Sequence, residues 1–354
     1  MIKTLKNTII FSILVTVIFS ICGFMNTASN EVCAQSPPAG EINKEITAKM
    51  FEKNKFLKTL ATDEVKVGTY LLNIRKLDVG SGTWVVDFYV WFIWHGEKIN
   101  PAGFEIMNGA ADFKDAAIYD TIEIEGRSYK WLTHRIIATM SNNLNFKSYP
   151  LDFQYLTIEI EDRENGIHKM KYRIVPGENN IDELTKIQGW EIKEKFNKVI
   201  THTYDTSFGY EDGDDSNLTY SRYVFGITIS RPRFSSLLKL ILPLSIILSL
   251  SFLSFSLSPD KVSQRISLGI STVFTSVAFH INLTSAIPQV SYLTLADRLM
   301  ISTYFILFTS LISTIYLIRF VDKNEIEKAV KINSRLGIFI PCLGITIILI
   351  QFMF

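Results

Sequence analysis

The stretch Ile266–Ile287, ISLGISTVFTSVAFHINLTSAI, carries no charge over 22 residues, yet nine of them are Ser, Thr, His or Asn. At about 1.5 Å rise per residue it is long enough, as a helix, to cross a hydrocarbon core of about 30 Å. A lone helix facing lipid would strand many of those polar groups, so at least one face must meet water or protein. Two arrangements satisfy this. The helix lines an aqueous path, or it is buried in its own bundle with its hydroxyls bonded back to the backbone. Hydroxyls occur nearly all the way round, so periodicity alone does not choose the wet face.

Three more apolar runs surround it, and together they predict a membrane unit over 234–354 with spans at about 237–257, 266–287, 299–320 and 336–354. From Ser235 to Phe354 only 14 of 120 residues are charged, whereas 57 of the chain's 71 charges precede them. The mean hydropathy of +0.20 therefore averages over two different solvents. The loop Ser258–Arg265 carries Lys261 and Arg265 against Asp260, and Arg319–Arg335 carries five bases against Asp322, Glu325 and Glu327. Basic loops stay in the cytoplasm, which places the large N-terminal part and the C-terminus on the extracytoplasmic side of a plasma (inner) membrane.

Lys3 and Lys6 followed by the apolar run Thr8–Phe24 and then Val32-Cys33-Ala34 describe a secretory signal over 1–34. Cleavage falls after Ala34 or near Ala28, and an uncleaved anchor is the alternative. Residues 35–64 read as an N-terminal extension, with Glu41–Leu60 helical or loosely ordered. Residues 65–233 read as sheet. Trp84–Trp94 is packed with aromatic and β-branched residues, and Phe153–Ile160, Lys169–Val175 and Tyr223–Ile229 are of the same character. Short strands separated by turn signals predict an antiparallel sandwich. The expected fold is thus a β + α membrane protein, an extracytoplasmic antiparallel β-sandwich followed by a four-helix transmembrane bundle.

A net charge of +1 gives no footprint for nucleic acid. The cysteines, Cys22, Cys33 and Cys342, leave the sheet region without a disulfide, and the five histidines are scattered without metal-site spacing. There is no CxxC, no GxSxG and no Gly-rich phosphate loop, so no enzyme, metal or cofactor is specified.

Ser148-Tyr149-Pro150-Leu151-Asp152-Phe153-Gln154 resembles the aromatic–Pro–hydrophobic–Asp core of the loop that names the Cys-loop receptors. Asn142 and Leu156 stand where the animal members have the two bracketing cysteines. Ile229-Ser230-Arg231 before Leu242-Pro243, and Ala286-Ile287-Pro288 before Ser291-Tyr292-Leu293-Thr294, resemble the family's entry to its first helix and exit from its second. From about Val65 to Phe354 the chain is identified as similar to bacterial pentameric ligand-gated ion channels, which lack the Cys-loop disulfide.

That resemblance implies a homopentamer, with four further copies of the chain as partners. It also implies passive conduction through a lipid bilayer, opened by a small extracytoplasmic ligand (amine, proton or divalent ion). Anchored on Pro288, it lines up Ser267, Ser271, Phe274, Ala278, Ile281 and Ser285 along the pore, within about 80° of arc at 3.6 residues per turn. Phe274 and Ile281 are then apolar constrictions that close by dewetting. Gln264 occupies the cytoplasmic mouth, where cation-selective relatives carry Glu. Asp260 supplies an acidic ring if the helix extends that far, and the balance favours cations. Asp152, Pro150 and Arg231, with Asp78 as a second acid, resemble the family's gating-coupling set. The agonist-lining stretches match Tyr204, Phe208 and Tyr210 around the acidic turn 211–215, and Phe104. The competing reading is a non-conducting membrane-anchored sensor with the same sandwich.

Overall fold

The computed structural model describes Leu57 and residues 59–124, 126–175, 177–206 and 219–353. The expected signal segment, nearly all of 35–64, and Phe208, Tyr210 and the turn 211–215 lie outside the described residues. The described chain divides into a sheet unit, residues 57–144 and 153–230, and a helical unit, residues 145–152 and 231–353.

In the sheet unit the strands are β1 (Glu64–Asp78), β2 (Thr83–Trp94), β3 (Phe104–Ile106), β4 (Gly109–Lys114), β5 (Ile118–Ile124) and β6 (Arg127–Ser141). Then follow β7 (Phe153–Asp162), β8 (Lys171–Ile174), β9 (Asn180–Ile181), β10 (Glu191–Thr203) and β11 (Thr219–Ser230). One sheet runs β4-β6-β2-β1-β8, with β5 also on β6 and β9 on β1; the other runs β10-β11-β7-β3. The pairing is antiparallel except where β8 and β9 join β1. β8 follows β7 of the other sheet and β9 follows β8, and both run alongside β1 in its own direction.

The period-2 rule explains the core. Trp84, Val86, Phe88, Val90, Phe92 and Trp94, at alternate positions of β2, are buried. They share one apolar cluster with Leu156, Ile158 and Ile160 of β7 and Tyr223, Phe225, Ile227 and Ile229 of β11. On the opposite face of β2, Asp87 takes hydrogen bonds from Arg75 at 2.8 Å and from Arg135 at 3.0 and 3.1 Å.

Asn142 ties the same region by hydrogen bonds. Its Oδ1 accepts from Trp84 Nε1 at 2.7 Å and from Thr157 N at 3.2 Å, and its Nδ2 donates to Thr157 Oγ1 at 2.7 Å. Thr157 follows Leu156, so this amide clasps both ends of the connection between β6 and β7 without a covalent bond.

The helical unit holds α1 (Arg233–Leu253), which ends in a 3-10 turn at Ser254–Ser256, then α2 (Val262–Thr284), α3 (Leu295–Asp322) and α4 (Ile326–Gln351). All four are long and apolar enough to cross a membrane. The last helix starts ten residues before its apolar run. Ala329 and Asn333, one turn apart, are buried, while Glu327, Lys328, Lys331 and Arg335 are exposed, so the basic link continues as an amphipathic turn of helix. Leu240, Leu244, Leu295, Leu299 and Met300 form one apolar cluster, and Ile247, Leu248, Phe255, Ile306, Leu307 and Ile340 form another.

α2 contributes differently. Its buried residues are Arg265, Thr272 and Ser276, all polar. Arg265 Nη2 donates to Asn333 Oδ1 at 2.6 Å, and Asn333 Nδ2 donates to the Phe255 carbonyl at 2.8 Å. The guanidinium lies 5.8 Å from the centre of the Phe255 ring.

The Asn142 clasp is testable. Asn142→Ala leaves the Trp84 indole N–H without its acceptor, at a cost of about 1–3 kcal/mol. We expect a lower unfolding midpoint for the full-length protein, followed by tryptophan fluorescence; an unchanged midpoint would show that the clasp is idle.

Candidate ion pathway and coupling site

Ser267, Ser271, Phe274, Ala278, Ile281 and Ser285 are all exposed on one stripe of α2, with Phe274 at 72% and Ile281 at 65%. Arg265, Thr272 and Ser276 lie on the opposite side of the helix and are buried. Both arrangements open at the level of sequence are therefore partly present. Thr272 bonds back to the Gly269 carbonyl at 2.9 Å, Thr275 to Ser271 at 2.8 Å and Thr284 to His280 at 3.0 Å, while a second set of polar groups remains open.

Gln264 is exposed in the first turn of α2. Asp260 is not part of that helix, because α2 begins at Val262. The carboxylate instead accepts from the Ser258 hydroxyl within a turn. That bond holds the Asp260 carboxyl below its usual value, so it stays charged. The expected helical extension to Asp260 is thus replaced by an exposed acid on the preceding loop.

At the other end of α2 the segment Asn145–Asp152 belongs to the helical unit. It is fastened by its own backbone. Lys147 O accepts from Leu295 N at 2.8 Å and Tyr149 O accepts from Ala296 N at 3.1 Å, so two N–H groups at the start of α3 are satisfied by this segment. Phe146 N donates to Tyr292 Oη at 2.9 Å, and Tyr149 Oη donates to Leu283 O, near the end of α2, at 3.3 Å. Burial pushes the Tyr149 hydroxyl up, so it remains a donor. Pro150 is buried behind a cis Tyr149–Pro150 bond, and Leu151 packs on the cluster around Leu240 and Leu299.

Asp152 closes the segment. It is 1% exposed and accepts from Arg231 Nε at 3.0 Å, while the Arg231 guanidinium lies 5.1 Å from the centre of the Tyr149 ring. Asp152 precedes Phe153 and Arg231 follows Ser230, and Phe153 pairs with Ser230 in the β7–β11 ladder. Asp152 and Arg231 are thus each one residue outside that rung in sequence.

In the sheet unit, Tyr204 Oη donates to Glu161 Oε2 at 2.7 Å, and Arg222 donates from Nε to Glu161 Oε1 at 2.5 Å and from Nη1 to Glu159 Oε2 at 2.9 Å. Tyr220 and His202 stand edge-on to the Tyr204 ring at 5.7 and 4.6 Å. Burial, then the bond to Glu161, pushes the Tyr204 hydroxyl up to about 12. No group of three or more metal-ligating side chains occurs among the described residues.

Residues 240–336, from α1 into α4, match the neurotransmitter-gated ion-channel transmembrane region. Over that region the chain is similar to that channel family. It is 25% identical over 270 residues to the proton-gated ion channel of Gloeobacter violaceus, covering 70% of this chain and 71% of that one. To the gamma-aminobutyric acid receptor subunit rho-2 of Homo sapiens it is 26% identical over 180 residues, 50% of this chain and 37% of the receptor. To the rho-1 subunit of Rattus norvegicus it is 25% identical over 209 residues, 58% and 42% of the two chains. The chain thus spans well under half of the receptor subunits it matches. It is a multi-pass membrane protein, with four helices long and apolar enough to cross a membrane.

Two further expected site residues, Phe104 and Asp78, lie in the sheet unit. Phe104 is a core residue, 6% exposed, with its ring 4.9 Å from Phe92 and the Lys114 amine 4.0 Å above it. Strand alternation in β3 turns Glu105 outward and Phe104 inward. Asp78 lies in the sheet unit, where its carboxylate accepts from Gly80 N at 2.9 Å and Ser81 N at 3.3 Å and closes its own turn. Sequence reasoning missed Glu159, Glu161 and Arg222. The i, i+2 spacing of the two acids marks one face of a strand, but their partner becomes visible only with the register that sets Tyr223 opposite Ile160.

The Arg231–Asp152 pair gives a double-mutant cycle. Arg231→Ala strands a buried carboxylate and should destabilise by about 3–5 kcal/mol, whereas adding Asp152→Ala should restore part of that loss. Thermal unfolding of the four proteins checks it; strictly additive losses would mean that the two side chains do not interact.

Proposed function

We propose that the chain is one subunit of a homopentameric ion channel in the plasma membrane, with the sandwich and the C-terminus extracytoplasmic. Conduction is passive and favours cations, and opening follows binding of a small extracytoplasmic ligand or protons. Residues 1–34 act as the signal peptide, 35–64 as an extension, 65–233 as the ligand-binding sandwich and 234–354 as the pore domain.

One observation carries this reading. A single chain leaves α2 with an open stripe of Ser267, Ser271, Phe274, Ala278, Ile281 and Ser285 while its only cation, Arg265, is buried on the far side. Five such stripes around an axis make a passage with hydroxyls toward Ser267 and two apolar rings at Phe274 and Ile281. Small polar side chains lower the barrier for a hydrated ion, and the apolar rings stop it by dewetting when narrow. With Arg265 turned away, Asp260 and Gln264 present an acid and a neutral amide near the mouth, which supports cation preference.

Asp152, Pro150 and Arg231 are assigned to coupling because they are joined to the first turn of α3 and the end of α2. Tyr204, with Glu161 and Arg222 beside it, is the part of the agonist region with built polar contacts. Its paired acids and aromatic rings support a small polar ligand or a proton as the signal.

Two measurements test the proposal. Purified protein in planar bilayers should pass current whose reversal potential, in a KCl gradient, moves toward that of potassium; reversal at the chloride potential would overturn the cation assignment. Phe274→Ser should raise the resting leak several-fold, since it replaces an apolar ring by a hydroxyl one; an unchanged closed-state current would remove Phe274 from the gate.

A further inference from the structure

Arg265 is the only buried cation of the helical unit among the described residues, at 1% exposed. It lies in the first turn of α2, and the turn after α1 and the start of α4 close over it. Nη2 donates to Asn333 Oδ1 of α4 at 2.6 Å, and Asn333 Nδ2 donates in turn to the carbonyl of Phe255 at 2.8 Å. Ala329, Asn333 and Gly337 follow at four-residue intervals along one face of α4. A Cβ at Gly337 would lie 3.2 Å from Phe255 Cβ, so glycine there lets the turn close onto the helix.

The charge enclosed in this way is not balanced. A guanidinium keeps its proton in a protein. Taken out of water, it needs an opposite charge and an acceptor for each donor. Asn333 is neutral and meets Nη2 alone. The Phe255 ring, 5.8 Å from the guanidinium, attracts a cation but leaves Nε and Nη1 without an acceptor. The hydroxyl of Ser254, the residue before Phe255, is likewise buried and unbonded among the described residues. No carboxylate among those residues pairs with Arg265. Asp260 accepts from Ser258, Glu325 holds Lys328 at 3.2 Å, and Asp322 and Glu327 are exposed.

The unmet groups are all donors, and that selects the partner. A water accepts from them but brings hydrogens of its own, and the acceptors at hand, Asn333 Oδ1 and the Phe255 carbonyl, already take bonds. It also leaves the charge unbalanced. A carboxylate from a second copy, or a lipid phosphate, would have to reach atoms that a single chain already closes off. A small anion meets both demands, because it accepts charge-assisted bonds and supplies the missing charge.

We propose that Arg265 binds a small inorganic anion of the chloride class, held by Nε or Nη1 with the Ser254 hydroxyl as a further donor. The anion is a structural component of the joint between α2, the 254–256 turn and α4. The site goes beyond the pore reading. It lies on the side of α2 away from the exposed stripe, and it requires neither a pentamer nor a current.

Bromide replaces chloride and scatters anomalously, so crystals of the full-length protein grown in bromide should give an anomalous peak within hydrogen-bonding reach of Nε or Nη1. In detergent, replacing gluconate by chloride at constant ionic strength should raise the unfolding midpoint by several degrees, as binding to the folded state requires. Arg265→Gln, uncharged but still able to donate to Asn333, should lose that rise. Ser254→Ala should need several-fold more chloride for the same rise. No bromide peak at Arg265 would overturn the proposal, whether or not Arg265→Gln folds. A peak without a chloride-dependent midpoint would mean an adventitious ion only, and an equal rise in Arg265→Gln would put the stabilising anion elsewhere; either result overturns it.

Discussion

The start of α3 is the joint on which the helical unit depends. A helix begins with N–H groups that have no partner inside it, and leaving one buried and unmet costs about 1–3 kcal/mol. Here two are met by carbonyls of Lys147 and Tyr149, from a segment far upstream in the chain, and a third by the hydroxyl of Thr294. The segment cannot leave α3 without uncovering those donors. Its other contacts, Tyr149 to Leu283 and Asp152 to Arg231, then tie the end of α2 and the entry to α1 to the same place. Backbone hydrogen bonds do the fastening, so their strength does not depend on the identity of most side chains in the segment.

Around this joint the fold resolves a conflict between solubility and burial. α1, α3 and α4 bury apolar residues against one another while leaving others such as Leu242, Phe308 and Phe339 exposed, whereas α2 buries only polar residues and leaves Phe274 and Ile281 exposed. The proposed pore reading rests on that exposed face.

Much of this was legible before any coordinates. Helix count followed from four long apolar runs, and the buried row of β2 followed from the alternation Trp84, Val86, Phe88, Val90, Phe92, Trp94. The exposed stripe of α2 followed only with the register taken from Pro288, since hydroxyls all round the helix erase the periodic signal. Other features depended on tertiary information. The start of α4 at Ile326 was hidden because its first turns are charged and carry their apolar contact through Ala329. The Glu161–Arg222 and Asn142–Trp84 bonds join residues 61 and 58 apart, and no local pattern encodes which strands will meet. Phe104 was expected at the agonist site from the resemblance alone, and a three-residue strand gives too little alternation to tell inside from outside. His280 looked like one scattered histidine among five until α3 brought Asp297 and Tyr304 beside it.

The Arg265 anchor has a consequence for how α2 can move. Its guanidinium is held by Asn333 behind the helix, and its Nε and Nη1 have no acceptor among the described residues. Spinning α2 about its own axis would drag that charge toward neighbouring hydrocarbon and break its one strong bond. Tilting or bending the helix about the Arg265 end leaves the bond intact while the Ile281 end swings through a larger arc. The buried arginine therefore sets the rotation of α2 at that end of the helix.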